Sequence, residues 1–181
     1  MANTRTAQPS RCLAAVMRDL AVLRGAMAVA AVAGAETEGS AVMYGRDEAQ
    51  WDRLAETGLE FLVERARLRK LTSYTELNAA LVHRTGLPGF DFGRADERAA
   101  LGHLLYLIIE RNRPSSGLMI SALVTYLDAN DAGPGFYAYA QDLGLLARNA
   151  SAQAKLEFWA GQVRKLHEYY APRTRHDPIT I

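Results

Sequence analysis

A chain of 181 residues, 49% hydrophobic and 23% charged, is long enough to bury a core of its own and is ordinary for a globular fold. Its formal net charge of +1 excludes a global electrostatic pull onto nucleic acid or anionic lipid. Cys12 is the single cysteine, which excludes an intrachain disulfide and makes a reducing, cytoplasmic setting the expectation.

Charge is unevenly spread. Residues 1–60 hold six basic and eight acidic side chains, residues 61–113 nine and six, and residues 148–181 six and three. An anionic partner should therefore meet the middle of the chain or its C-terminal end.

Ser10 is placed to cap a first helix, and Leu13, Val16, Leu20, Leu23 and Met27 lay an apolar stripe along it to about Ala33. The Ala-rich run from Gly25 to Ala35, preceded by Arg5, Arg11, Arg18 and Arg24, has the outline of a secretory signal. Its apolar part is about ten residues, against the roughly 20 that a bilayer needs, and the stripe runs straight into it. No membrane span is expected. Gly34 to Gly45 reads as a linker.

A second helix is predicted from about Asp47 to Lys70, with Trp51, Leu54, Gly58, Leu62 and Ala66 on its apolar face. Arg65, Arg67, Arg69 and Lys70 crowd its last turns. Cations suit a helix C-terminus, so dipole compensation and solubility compete here with a phosphate-binding patch. Ser73-x-x-Glu76 is a capping box that opens a short helix through Leu77, Ala80 and Leu81, ended by Gly86-Leu87-Pro88-Gly89. A longer helix follows, with Asp96 and Glu97 in its first turn and Leu101, Leu104, Leu105, Ile108 and Ile109 on one broad face. Arg113-Pro114 is expected to stop it. Leu118 to Leu127 is predicted to be a strand covered on both faces, because both alternating sets are largely apolar. Asp128 to Gly133 is a polar turn into a short helix from about Gly135 to Leu143. Leu156, Trp159, Val163, Leu166 and Tyr170 mark a last helix that Pro172 ends. The expected divisions are 1–46, an N-terminal helix and linker; 47–146, a winged-helix-like core; and 147–181, a C-terminal helix and tail.

No cofactor or metal is expected. His83, His103, His167 and His176 lack the close pairing of zinc sites. The Asp128 segment fails as a calcium loop, because Tyr139 stands where a bidentate carboxylate is required. There is no Gly-x-Ser-x-Gly elbow and no phosphate loop, since Gly133-Pro134-Gly135 lacks a following Lys-Ser/Thr.

A capped short helix, a turn, a longer helix and a β-hairpin-like element follow one another in the order of a winged helix-turn-helix. The runs Thr72-Ser73-Tyr74-Thr75-Glu76-Leu77, Arg98-Ala99-Ala100-Leu101-Gly102 and Ile120-Ser121-Ala122-Leu123-Val124 together resemble the DNA-binding half of the O6-alkylguanine-DNA alkyltransferases. The resemblance covers about a third of the chain. It implies a DNA-facing tyrosine at Tyr74 and an arginine at Arg98 that takes the place of an extruded base. Ser121 stands where that family has its reactive cysteine and Ala122 where it has the histidine, so alkyl transfer is excluded. Leu118 to Tyr137 also looks similar to segments of uncharacterised bacterial proteins associated with phage and mobile elements.

The fold expected is mainly α: a helical bundle with a winged helix-turn-helix-like centre and a small β element. The function expected is that of a non-enzymatic, regulatory DNA-binding protein. Arg67, Arg69, Lys70, Arg84 and Arg111 would meet phosphates of double-stranded DNA, and Arg94 and Arg98 would be nearest the bases, with Tyr74 beside them. Against it, the would-be recognition helix offers base edges little but Leu104 to Ile109. The alternative is a helical interaction adaptor or structural subunit, homodimeric or within a larger assembly, packed through Leu156, Trp159, Val163 and Leu166.

Overall fold

The computed structural model describes residues 42–126 and 131–172. The expected first helix with most of its linker, most of the polar turn before Gly133 and the tail from Arg173 lie outside these residues. The protein is mainly helical with a small β element.

A tight turn bridges Met43 to Arg46, and Asp47 then caps α1 (Glu48–Arg67). Asp47 accepts from the Gln50 amide at 2.8 Å while the Gln50 side chain accepts from the Asp47 amide at 3.0 Å, a reciprocal box that satisfies two otherwise orphaned donors. The five apolar-face residues named from the sequence are all buried in α1. β1 (Thr72–Ser73) leads directly into α2 (Tyr74–Thr85), whose Ser73–Glu76 box has both of its bonds, at 3.1 and 3.0 Å.

Helix α3 (Ala95–Ser116) crosses α1 and carries the centre of the core: Leu104 and Ile108 are fully buried. The two helices approach so closely at Gly58 that a Cβ there would lie 2.6 Å from Ile108 Cδ1. The helix does not stop at Arg113; it runs through Pro114 and ends on Gly117. The local penalty before proline is overridden by Asn112, buried to 2% exposure, whose amide donates to Ser116 Oγ and to the Leu118 carbonyl and so holds the final turn closed.

The predicted ten-residue strand is also corrected. Ile120–Leu123 forms a 3-10 turn, and β2 (Val124–Thr125) alone is strand, paired parallel to β1 with Thr72 opposite Val124 and Ser73 opposite Thr125. A single antiparallel bridge joins Thr125 to Ala132. The expected coverage on both faces is real, since residues 119–125 are all buried. Ahead of β2, two of the backbone groups are met by side chains instead of by a neighbouring strand. Gln162 Oε1 accepts from the Met119 amide at 3.0 Å, and Trp159 Nε1 donates to the Ala122 carbonyl at 2.8 Å.

Both of those side chains come from α5 (Ala152–Tyr169), which follows α4 (Pro134–Asp142). Trp159 and Leu166 are buried in the chain's own core, whereas Leu156 is 42% exposed. The stripe proposed as an intermolecular seam is thus largely used within the chain, and one continuous apolar cluster reaches from α1 to α5.

Candidate nucleic-acid interface

Eight side chains were expected to converge on a polyanion, and the fold gives several of them partners of their own. The Arg84 guanidinium is bidentate on Glu64, at 3.0 and 2.6 Å, and lies over the Phe61 ring, so it clamps α2 to α1. That hydrogen bond is the main reason the Glu64 carboxyl is held below its ordinary range. Arg111 is tied to the Asp52 carboxylate and to the Asp52 carbonyl. Arg94 is paired with Asp96 two residues on. Arg98 donates to the Phe92 carbonyl at 2.8 Å and is partly buried. Each has a partner that a phosphate would have to displace.

Tyr74 is turned inward. Its ring packs on Tyr126 with centroids 4.9 Å apart, and a Cβ at Gly133 would lie 2.5 Å from its hydroxyl. Burial pushes its phenol pKa up. Ser121 and Ala122 are likewise buried, in the 3-10 turn. An open cleft of about 450 Å³ lies elsewhere, lined among others by Arg46, Gln50, Arg94, Asp96 and Glu97. Its floor is a structural latch: Arg46 pairs with Glu97 at 2.9 Å, donates to the Gly89 and Tyr44 carbonyls, and stacks on Phe90. Among the described residues no group of His, Cys, Asp and Glu could hold a metal ion, and no helix is long and apolar enough to cross a membrane.

Arg84, Arg94 and Arg111 are exposed but paired, which leaves three of the eight. Arg67, Arg69 and Lys70 are exposed at the end of α1, and none of them forms an ion pair among the described residues. The local fold explains how they are displayed. Lys70 N–H bonds the Arg65 carbonyl and Arg69 N–H bonds the Ala66 carbonyl, both at 3.0 Å, a helix stop that places Arg69 in the left-handed region at φ 53°. Gly86 and Gly117 hold the corresponding left-handed positions after α2 and α3.

Helix α1 meets α5, and the charges at the end of α1 are felt at the end of α5. The Arg67 charge offsets part of the rise that burial gives the Tyr170 phenol, and Arg69 adds to the burial that lowers the His167 pKa. Tyr170 donates to Asn112 Oδ1, and Tyr169 donates to the Ser115 carbonyl at 2.9 Å, so the end of α3 completes the corner. Tyr169 is 50% exposed and was not among the residues singled out from the sequence. The signal for it was negative: a large aromatic lying off the Leu156–Tyr170 stripe has no place in the core. Comparison with protein families, curated proteins and solved structures finds no match to this chain.

Proposed function

We propose that the protein is a non-enzymatic nucleic-acid-binding protein of regulatory type, working in the reducing cytoplasm, and that it grips phosphates with the corner formed by Arg67, Arg69 and Lys70. The observation that carries this reading is the backbone at Arg69. A left-handed conformation costs a residue with a Cβ about 1 kcal/mol, and a glycine would fill the position without that penalty. Helix-dipole compensation accounts for cations in the last turn of α1. It gives no reason to keep a side chain at the strained position just beyond it. An exposed guanidinium with no carboxylate partner among the described residues is suited to phosphate contact.

The helix-turn-helix expectation and the alkyltransferase resemblance do not supply the contact surface, because Leu104, Leu105, Ile108 and Ile109 of α3 are core residues and cannot enter a groove. The reading is therefore backbone-directed and weakly sequence-dependent.

A polarisation titration at two salt concentrations tests it. Three phosphate contacts give a log–log salt slope of about −2.1 to −2.7, a loss on the order of 20- to 40-fold between 50 and 200 mM salt. Arg67→Ala and Lys70→Ala should each flatten that slope by about one unit, while Arg84→Ala and Arg111→Ala leave it unchanged. Absence of binding at low salt removes the proposal.

A further inference from the structure

Resting on the nucleic-acid reading above, we infer that the polymer held at this corner is single-stranded, with one base stacked on the Tyr169 ring. The geometry points there for three reasons. First, Tyr169 is a half-exposed aromatic at the surface whose hydroxyl is anchored 2.9 Å from the Ser115 carbonyl, so its ring is presented rather than free to fold away. An anchored ring offers a stacking face at little further cost in side-chain entropy. Its T-shaped contact with Tyr170, at 4.9 Å between centroids, supports it from one side.

Second, cations act on the ring's neighbours along α5. Tyr170, in direct contact with Tyr169, lies within the field of Arg67, and His167, two residues before Tyr169, lies within that of Arg69. Arg164 and Lys165 are exposed on the same helix, with Glu168 the acidic neighbour. Cations that track a backbone beside a flat aromatic are the combination used for unpaired strands, whose bases are free to leave one another and stack on protein. Third, the described residues of this face carry helix ends and an apolar side chain rather than a helix laid out for a groove. Among the described residues the ends of α3 and α5 are joined here by the Tyr169 and Tyr170 hydrogen bonds, and a helix end without a projecting first turn does not follow a groove. Leu68, 62% exposed between Arg67 and Arg69, adds an apolar contact suited to a base or sugar and ill suited to a duplex backbone.

The test is fluorescence polarisation of the full chain with labelled oligo(dT) of about 12 nucleotides, a mixed-sequence duplex of equal length, and inorganic polyphosphate as competitor. Binding to oligo(dT) should be at least about tenfold tighter than to the duplex. Tyr169→Leu should weaken the single strand by about 5- to 100-fold, which is what loss of one stacked base represents. Tyr169→Phe keeps the ring but loses its anchor on Ser115, so it should bind between the parent and Tyr169→Leu, and an unchanged thermal midpoint of Tyr169→Leu separates lost stacking from a fault in folding. Tyrosine fluorescence should be quenched by oligo(dT) and not by polyphosphate. Equal or tighter duplex binding overturns this inference and leaves the anion-binding corner standing. So does polyphosphate competing as well as oligo(dT) while Tyr169→Leu is silent. No binding of any of the three polymers at low salt overturns both readings.

Discussion

Arg69 carries a backbone penalty that Gly86 and Gly117 avoid at the ends of α2 and α3. Stability and binding should therefore move in opposite directions when it is changed. Arg69→Gly should raise the denaturant midpoint, by an amount equivalent to about 0.5–1 kcal/mol, the strain relieved less the extra freedom given to the unfolded chain. The same variant should lose affinity for nucleic acid. A variant that is both less stable and equally active would mean that the side chain is structural and the corner is inert. The same scale shows what the sequence could and could not disclose. The Ser73–Glu76 box and the buried face of α1 were legible because they depend on residues three or four apart. The fate of Arg84, Arg94 and Arg111 was not, for two different reasons. Glu64 and Asp52 reach Arg84 and Arg111 from other helices, and only the fold decides that pairing. Asp96 lies two residues from Arg94, and nothing in the pattern says whether that pair closes or opens to solvent.

At the scale of elements, the α1–α3 crossing is the contact on which the bundle depends, and Gly58 sets its closeness. Gly58→Ala gains helix propensity worth up to about 1 kcal/mol, yet its methyl meets Ile108 Cδ1 inside a packed core, where overpacking costs about 1–3 kcal/mol. A net loss of stability is expected. Ile108→Val removes the obstructing atom. By itself it should cost about 0.5–1.5 kcal/mol, and in the Gly58→Ala background it should cost nothing or restore stability. Additive effects in a double-mutant cycle would show that α1 and α3 separate to accommodate the methyl. The segment after α3 illustrates why a strand prediction failed while its burial was right. Alternation reports which side chains are covered; it does not report whether a backbone partner is at hand. Here the partners are Gln162 and Trp159, more than thirty positions away on α5.

For the whole molecule, acid should be destabilising earlier than carboxylate titration alone would make it. His103 is buried among the Tyr44, Trp51 and Tyr106 rings, and burial lowers its pKa below the ordinary 6.5. A histidine held neutral in the fold binds its proton more readily once unfolded, so its contribution is complete above about pH 6.5 and is lost as pH falls toward the depressed folded value. His167, lowered first by burial and then by Arg69, acts in the same direction. Urea midpoints should therefore fall between pH 7 and pH 5, by no more than about 1.4 kcal/mol per pH unit for each histidine. His103→Phe should flatten that decline. An unchanged profile in the variant would place the acid sensitivity in His167 or elsewhere.

The pairing of Thr72 with Val124 has a consequence for how the molecule can be divided. A cut in the exposed stretch between Asp91 and Gly93 leaves α1, β1 and α2 on one piece and α3, β2, α4 and α5 on the other. The α1–α3 crossing, the β1–β2 pair and the α2–β2 contact all span that cut. Neither piece keeps a core of its own, and each holds the complement of the other. Co-expressed as two polypeptides, the halves should find one another and reassemble, and a split reporter fused at the break would light only when both are present.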